Sequence, residues 1–375
     1  MTTAVTDPAA PVVDASDGLR LIKPAVRAQP AYTLAVQPAT RKLNQNEAPS
    51  DLEPELKAEI LARVAAAPWH RYPEFVPRAL AEALATHYGW VADGILVGNG
   101  SNELIQATLS VVLDRDDAVV APAPTFSLYR LLTSVYGGRY HPVPFGPDFR
   151  FDVDRLIATA NEVEAKAVVV NTPNNPTGSV LTAAEVLRIV EETDALVLCD
   201  EAYLEFGGET VIPRLGDHPR LVVLRTFSKA MGMAGLRFGV ALAHPAIARE
   251  IAKAKLPYNV NLVTLVAAEV VMGHADTIAR RSAAVVAGRE RAIAALRQLP
   301  GLTVYDSAAN FFVVRSHAMP ARTLFARLLD EHGILVRDVS SNAGLEECLR
   351  ISVGTDDDVD AVIAAFTRLY GETTR

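Results

Sequence analysis

Short runs of apolar residues alternate with longer amphipathic segments up to about residue 275. The runs of strand length fall at 94–97, 118–121, 167–170, 195–199, 221–224 and 239–243. Between them, apolar positions recur with helical spacing at 103–113, 126–135 and 182–192. Continuously apolar runs are typical of strands covered on both faces, and their alternation with helices favours a mostly parallel sheet. The pattern therefore predicts an α/β fold, with a central sheet that carries helices on both faces.

The pattern changes after residue 275. A long helix rich in Ala and Arg is predicted at about 276–299, followed by short strands near 302–305, 311–315, 334–337 and 349–353. A helix followed by several short strands is typical of an α+β unit. We therefore predict three regions: a mobile N-terminal tail and arm at 1–50 that joins the small domain, a large domain at 51–275, and a small C-terminal α+β domain at 276–375.

Composition narrows the classes of protein that this chain could be. Half of its 375 residues are hydrophobic, which is enough for a large core and a second, smaller one. Lys and Arg number 36 against 44 Asp and Glu, and no basic run or basic-aromatic stripe is present. A globular enzyme fits these numbers, whereas nucleic acid and anionic membranes are poor choices of partner.

The two cysteines and the N-terminal residues indicate the cellular compartment in which the protein is expected. Cys199 and Cys348 both lie in apolar stretches, which favours buried thiols in a reducing environment over a disulfide or a metal site. The first twenty residues lack the basic start and apolar centre of a signal peptide, and no apolar stretch approaches membrane-spanning length. We therefore expect a cytoplasmic protein without a bound metal.

Polar side chains follow three of the predicted strands. Asn175 lies in a stiff turn after the run at 167–170, Asp200 and Tyr203 follow the run at 195–199, and Lys229 follows the run at 221–224. Taken alone, Asp200 could be a helix N-cap and Lys229 a solvated loop residue. Together, an amide, a carboxylate, a phenol and an amine at strand ends suit one ligand, pyridoxal 5′-phosphate (PLP), since a buried carboxylate needs a cation.

A glycine-containing loop is the candidate for the phosphate of that ligand. Gly98-Asn99-Gly100-Ser101-Asn102 follows a predicted strand and opens a helix, whose positive end attracts anions. Ser101 and Asn102 are the closest candidates. A dinucleotide-binding loop was considered and fails, because Glu103 follows where the third glycine is required.

These motifs resemble the fold type I, class I/II PLP-dependent aminotransferases. The resemblance runs from about Leu43 to Thr355 and rests on Asn175-Pro176-Thr177-Gly178, Asp200 with Tyr203, and Ser228-Lys229 with Arg237. Arg71-Tyr72-Pro73-Glu74, the segment from Gly333 to Asp338 and the segment from Leu349 to Thr355 are similar to the histidinol-phosphate aminotransferases within that family.

The resemblance implies a role for each motif residue. Lys229 would bind the PLP aldehyde covalently and move the substrate proton, Asp200 would pair with the ring nitrogen, and Tyr203 would bond the ring hydroxyl. The implied catalytic and cofactor-binding residues are Lys229, Asp200, Tyr203, Ser101, Asn102, Phe126, Asn175, Ser228, Arg237 and Tyr72. Phe126 would stack on the ring, although it could instead be an ordinary core residue, and Tyr72 would reach the cofactor phosphate of the partner in a homodimer.

The implied substrate contacts are Arg350, Arg337, Asn46, Tyr32 and Tyr258. Two arginines suit an anionic substrate, because guanidinium groups bind phosphate or carboxylate through paired bonds. By resemblance, Arg350 would bind glutamate in one half-reaction and histidinol phosphate in the other, with Arg337 assisting on phosphate. An ion-pair role for the arginines, and a packing role for Asn46, Tyr32 and Tyr258, stay open at this point.

The reaction expected from the resemblance is transamination between L-histidinol phosphate and 2-oxoglutarate. An aromatic amino acid aminotransferase, a decarboxylase of the threonine-phosphate type and a PLP-binding regulator without turnover are the alternatives. One scaffold serves many substrates, so the residues above identify the cofactor more sharply than the amino donor.

Overall fold

The computed structural model describes residues 15–29 and 37–373, and the chain divides into two compact units, residues 1–35 and 36–375. The described part of the first unit holds two short helices, α1 (Ser16–Leu19) and α2 (Pro24–Arg27). Residues 1–14 of the expected N-terminal tail, and the candidate substrate residue Tyr32, lie outside the described residues. The other candidate site residues belong to the second unit.

The strands of the second unit have the following bounds: β1 Arg41–Lys42, β2 Ile95–Gly98, β3 Ala118–Ala123, β4 Arg139–Pro144, β5 Ala167–Asn171, β6 Leu196–Asp200, β7 Leu221–Thr226, β8 Gly239–Ala243, β9 Leu302–Val304, β10 Phe311–Ser316, β11 Ile334–Leu335, β12 Arg337–Asp338 and β13 Cys348–Ser352. Seven of them form the central sheet in the order β2-β8-β7-β6-β5-β3-β4. All its neighbours pair in parallel except β8, which is antiparallel to β2 and β7. The predicted mostly parallel sheet is confirmed.

The helices of the second unit have the following bounds: α3 Pro54–Ala66, α4 Arg78–Tyr88, α5 Ser101–Val112, α6 Leu128–Tyr136, α7 Val153–Glu162, α8 Ala183–Glu191, α9 Pro245–Ala254, α10 Leu262–Met272, α11 Ala275–Leu296, α12 Ala321–His332 and α13 Asp356–Thr373. Alternate residues of the central strands pack on different sides. Val169 and Leu198 join the cluster that contains α5, α6 and α9, whereas Val168 and Val197 join the cluster that contains α3, α4, α8 and α10. Both faces of the sheet are therefore covered, as predicted.

A four-stranded antiparallel sheet, in the order β12-β13-β10-β9, follows α11. The single strand predicted at 334–337 is wrong, because the chain changes sheets within it. Ile334 and Leu335 pair in parallel with Arg41 and Lys42 of β1, whereas Arg337 pairs with β13. An apolar run predicts an extended segment but carries no information about its partner.

Strand β4 has no apolar run and was missed. Its sequence, Arg139-Tyr140-His141-Pro142-Val143-Pro144, contains two prolines, which lack the backbone donor of a central strand. The strand lies at the edge of the sheet beside β3, where such residues are tolerated.

Among the described residues, no single helix has both the length and the apolar character needed to cross a membrane. Helices α10 and α11 pass that test only as a pair, and the chain bends by 83° between them.

Candidate active site

The parallel register brings three strand ends to one edge of the central sheet. Asn171 at the end of β5 pairs with Asp200 at the end of β6, and Asp200 pairs with Leu224 of β7. Lys229 follows β7 directly, and Asn175 follows β5 after four residues. The polar side chains predicted to share a site therefore leave the sheet at the same edge, where ligands of open α/β sheets bind.

Asp200 is buried, with 4% of its surface exposed. Its Oδ2 accepts a hydrogen bond from the Tyr129 hydroxyl at 2.7 Å, and its Oδ1 accepts one from the Ala202 backbone N–H at 3.1 Å. Neither donor carries a charge. Burial raises the pKa of Asp200 to about 6, against the lowering effect of these two bonds and of Lys229. A cation placed against the carboxylate would relieve the cost of burying it.

Lys229 is partly buried, and its amine lies close to several cofactor-candidate residues. Its Nζ donates to the Gln45 carbonyl at 3.2 Å and lies 5.7 Å from the centre of the Tyr203 ring. Burial, together with the positive charges of Arg350 and Arg237, lowers the pKa of Lys229 to about 8. Roughly a tenth of the amine is therefore neutral at pH 7, far more than for an ordinary lysine, and a nucleophile or base must be neutral.

The N-terminus of α5 has the features of an anion-binding site. Ser101 opens the helix and is buried, whereas the neighbouring Asn102 is exposed. A Cβ on Gly100 would lie 2.5 Å from Nη2 of Arg237, so the guanidinium passes directly over the loop. Nη1 of Arg237 donates to the Ser228 hydroxyl at 3.2 Å. Backbone amides, hydroxyls and a guanidinium thus meet at one point.

The backbone of Arg237 is strained, with φ at 59°, in the left-handed region that side chains other than Asn and Asp rarely occupy. The surrounding loop holds this strained conformation. In it, the backbone N–H of Arg237 donates to the Met233 carbonyl. Such strain is typical of a side chain held for a function rather than for stability.

Tyr203 and Asn175 are linked to residues far along the chain. The hydroxyl of Tyr203 accepts a hydrogen bond from Asn46 Nδ2 at 3.2 Å. Oδ1 of Asn175 accepts a hydrogen bond from Arg350 Nη1 at 2.6 Å. The amide nitrogen of Asn175 is therefore the atom that would donate to a cofactor oxygen. The resulting polar wall joins β5, β6 and the four-stranded sheet.

Asn46 is almost fully buried and holds its place through a left-handed backbone with φ at 54°. Its backbone N–H donates to Ser352 Oγ at 2.9 Å, and its Oδ1 accepts from the same hydroxyl at 3.0 Å. The Asn310 amide donates to the Asn46 carbonyl at 3.0 Å. These bonds make Asn46 a support for the Tyr203 hydroxyl.

Arg350 and Arg337 are direct cross-strand partners in β13 and β12. Residues directly opposite in an antiparallel pair carry their side chains on the same face. Arg350 is buried, donates through Nη2 to the Asn44 carbonyl at 2.8 Å, and lies over the Phe311 ring at 5.2 Å. Arg337 is only partly buried. The two arginine side chains therefore leave the same face of the four-stranded sheet, and that of Arg350 reaches Asn175.

The remaining aromatic candidates fall into two places. Phe126 precedes α6 and contacts the buried Tyr129 edge-on, with ring centres 5.7 Å apart. Tyr72 is 80% exposed and stacks on Tyr258 at 4.5 Å, with Phe75 edge-on to Tyr258. Tyr72 and Tyr258 thus belong to an exposed aromatic group, apart from the buried polar wall.

The donor set fits PLP. A buried carboxylate without a charged partner of its own, a lysine with a lowered pKa, and an anion-binding helix end suit a pyridinium ring, an aldehyde and a phosphate. Among residues 15–29 and 37–373, no group of three or more His, Cys, Asp or Glu side chains is arranged to hold a metal ion.

Three residues that contact the site were missed from the sequence. Tyr129 bonds Asp200, while the carbonyls of Gln45 and Asn44 bond Lys229 and Arg350. Backbone carbonyls leave no signal in residue type. Tyr129 could have been found, since it lies three positions after Phe126 in an apolar helix, and a buried phenol requires a hydrogen-bond partner.

Comparison with known proteins agrees with this geometry. A family model described as aminotransferase class I and II matches residues 40–366. The histidinol-phosphate aminotransferase of Chlorobium phaeobacteroides is 37% identical over 354 residues, covering 94% of this chain and 98% of that protein. Histidinol-phosphate aminotransferase 2 of Nitrosococcus oceani is 37% identical over 346 residues, covering 92% of this chain and 96% of that protein.

A solved structure shows the same fold. The crystal structure of histidinol-phosphate aminotransferase from Sinorhizobium meliloti, in complex with pyridoxal 5′-phosphate, aligns with a TM-score of 0.83 at 27% identity. The alignment covers 94% of this chain and 98% of that one. The resemblance drawn from the motifs is therefore confirmed, and this chain belongs to the class I and II aminotransferase family, with the fold type I architecture.

Proposed function

We propose that this protein is a PLP-dependent aminotransferase that acts on L-histidinol phosphate and 2-oxoglutarate, giving imidazole acetol phosphate and L-glutamate, in histidine biosynthesis. The observation that carries the proposal is the meeting of Lys229, Asp200 and the start of α5 at one edge of the sheet. Relatives named histidinol-phosphate aminotransferase, which align over nearly the whole chain, support the choice of substrate.

PLP, when bound, supplies an aldehyde that condenses with amines and a protonated ring that withdraws electrons from the substrate carbon. The buried Asp200 carboxylate would pair with the ring nitrogen and favour its protonated form. Neutral Lys229 would accept the proton from the reacting carbon of the substrate and, once protonated, would be the acid of the site. The lowered pKa of Lys229, about 8, makes the neutral amine available for this proton transfer.

The remaining residues of the site bind and orient. The α5 amides, Ser228 and Arg237 would hold the phosphate at the positive end of the helix. The Tyr203 hydroxyl, which accepts from Asn46, and the Asn175 amide nitrogen, whose Oδ1 accepts from Arg350, would donate to the ring hydroxyl oxygen. Phe126 would cover the ring.

Arg350 and Arg337 provide the anion site for substrate. Glutamate and histidinol phosphate must use one site in turn, and one ends in a carboxylate where the other carries a phosphate. The pair of guanidinium groups on one face of the small sheet suits both anions.

A homodimer with shared active sites, in the cytoplasm, is also part of the proposal. Tyr72 is 80% exposed beside the exposed Phe75 and Tyr258, which is typical of an aromatic group that a partner covers. Asn259, next to Tyr258, donates to Glu103 in the first turn of α5, so this aromatic group lies near the phosphate end of the site. Cys199 and Cys348 are both buried free thiols, which suits a reducing compartment.

The cofactor is tested by reconstitution. Protein stripped of cofactor and mixed with PLP should become yellow, and borohydride should fix PLP to the peptide that contains Lys229. Lys229→Ala should abolish the fixation, whereas Lys255→Ala, at another partly buried lysine with a lowered pKa, should leave it intact. Undiminished multiple-turnover transamination by Lys229→Ala would overturn the proposal.

The substrate is tested by single half-reactions. The PLP form is mixed separately with histidinol phosphate, phenylalanine, tyrosine and threonine phosphate, and loss of the visible cofactor band is followed. Histidinol phosphate should react with the highest specificity constant. A higher constant for phenylalanine or tyrosine would identify an aromatic aminotransferase, and release of carbon dioxide from threonine phosphate would identify a decarboxylase.

A further inference from the structure

Tyr129 contacts two different parts of the cofactor site. It lies in α6 with no exposed surface, its hydroxyl donates to Asp200 Oδ2 at 2.7 Å, and its ring meets Phe126 edge-on at 89°. Asp200 and Phe126 are both expected to contact the PLP ring, one at its nitrogen and one on its face. A single side chain thus connects the two ring contacts.

The charge on Asp200 depends on few groups. Burial and the negative charge of Glu201 favour the neutral carboxyl, whereas the bonds from Tyr129 and Ala202 and the positive charge of Lys229 favour the carboxylate. Cys199, Tyr203 and Tyr140 also lie close enough to act on this pair of residues. Burial raises the pKa of Cys199 and of Tyr140, so both stay uncharged near neutral pH. The Asp200 carboxylate accepts hydrogen bonds from the Tyr129 hydroxyl and from the Ala202 backbone N–H.

The hydroxyl of Tyr129 is a dependable donor. Burial and the neighbouring Asp200 charge hold the pKa of Tyr129 well above its usual range, so the phenol stays protonated wherever the enzyme works. The bond also fixes the rotation of the carboxylate, since Oδ1 is held by the Ala202 N–H and Oδ2 by the phenol. Each oxygen keeps a second lone pair for another donor.

We propose that Tyr129 is a positioning residue of the cofactor site, which holds Asp200 ionised and in fixed orientation toward the PLP ring nitrogen and braces Phe126 against the ring. The inference rests on PLP binding as proposed above and assigns a role to a residue that touches neither cofactor nor substrate. It acts through Asp200 and Phe126.

Tyr129→Phe tests the hydroxyl alone, because the ring and its edge contact are kept. The dissociation constant of PLP is measured across pH, and 15N-labelled PLP reports the protonation of the ring nitrogen by NMR. Losing a donor to the charged form makes Asp200 easier to protonate, so the acid limit of PLP binding should move to higher pH. A hydrogen bond to a charged group corresponds to roughly a tenfold to hundredfold effect, or about one to two pH units. The 15N signal should shift toward the unprotonated value.

Tyr136→Phe is the matched control, since it removes a hydroxyl from the same helix that bonds the Gln106 carbonyl instead. In an Asp200→Asn background, Tyr129→Phe should no longer move the acid limit, because the titrating group is gone. Incorporation of 3-fluorotyrosine at position 129, a stronger donor, should move the limit to lower pH and gives a second readout should Tyr129→Phe fold poorly.

The outcomes separate the two proposals. Failure of the wild-type protein to bind PLP would overturn the proposed function. A wild-type protein that binds PLP, with an acid limit and 15N shift that neither Tyr129 replacement changes, would overturn the role of Tyr129 and leave the function standing.

Discussion

At the scale of single residues, the buried carboxyl group of Asp200 lowers the stability of the cofactor-free protein when it ionises. The pKa of Asp200 is raised from 3.8 to about 6, so between these values the folded state binds a proton that the unfolded chain releases. The group therefore stabilises the fold fully below about pH 4, and this contribution is lost as the pH rises through about 6. The shift of about two units corresponds to roughly 3 kcal/mol.

Asp200→Asn removes this titration. In the cofactor-free protein, the free energy of unfolding of the wild type should fall relative to the variant by about 2–3 kcal/mol between about pH 4 and pH 7. Denaturant unfolding of both proteins at several pH values measures it, and the remaining titratable groups cancel in the difference. Parallel curves for the two proteins would show that Asp200 does not carry a raised pKa.

Arg337 and Arg350 are predicted to differ in the substrates that each of them binds. Histidinol phosphate offers more charge and more acceptor oxygens than a carboxylate, so the second guanidinium should serve it selectively. Arg337→Ala should lower the specificity constant for histidinol phosphate more than that for glutamate by about 1.5–3 kcal/mol, the value of a charge-assisted bond. Arg350→Ala should impair both half-reactions.

Stopped-flow measurement of each half-reaction decides this. Arg322→Ala, at an exposed position of α12, is the control and should change neither constant. Equal losses on both substrates for Arg337→Ala would indicate a structural role for Arg337 and would favour the aromatic aminotransferase.

At the scale of elements, the phosphate site depends on how closely β8 approaches the start of α5. A Cβ on Gly239 would lie 2.3 Å from the Ser101 backbone nitrogen and 2.6 Å from the Gly100 carbonyl carbon. These are backbone atoms, which cannot move aside as a flexible side chain can. The absence of a side chain at Gly239 therefore sets the position of the helix end that receives the phosphate.

Gly239→Ala should push the first turn of α5 away from Arg237 and Ser228. Overpacking of this kind costs about 1–3 kcal/mol, so PLP affinity should fall roughly tenfold or more. Gly235→Ala, in the same loop but with nothing within 4 Å of the added carbon, should bind PLP as the wild type does. Equilibrium titration with PLP compares the three proteins, and equal affinities would contradict the proposed phosphate site.

The ends of β6 and β7 are also joined by charge. Arg225 donates to Glu201 at 2.9 Å and to Glu205 at 2.6 Å, and Arg225 and Glu201 are both buried. Burial raises the pKa of Glu201, while the positive charge of Arg225 and the hydrogen bonds that Glu201 accepts oppose that rise. The pair fixes the spacing of the two strands that deliver Asp200 and Lys229.

At the scale of the whole molecule, a shared site predicts complementation between two defective proteins. Mixing Lys229→Ala with Tyr72→Phe, followed by partial unfolding and refolding, should form hybrid dimers. One site in each hybrid has both residues intact, so activity should exceed that of either parent. Refolding each parent alone is the control and should give no gain. Full activity in a protein that light scattering shows to be monomeric would rule out sharing.

The sequence by itself determined most strands of the central sheet and pointed to the candidate residues of the site. Apolar runs predicted β5, β6, β7 and β8 to within one or two residues, because strands covered on both faces must be continuously apolar. The polar groups that follow those runs share one edge because parallel strands point the same way. Motif residues such as Lys229, Asp200 and Arg237 could therefore be proposed as site residues without a structure.

Only the tertiary structure decided how those residues are held. The bond from Asn46 to Tyr203 spans 157 positions, that from Arg350 to Asn175 spans 175, and that from Tyr129 to Asp200 spans 71. The division of residues 334–338 between two sheets was equally beyond the sequence pattern. A pattern along the chain records which face a residue buries, whereas its hydrogen-bond partner depends on how separate elements pack, and that packing also sets the pKa values of Asp200 and Lys229.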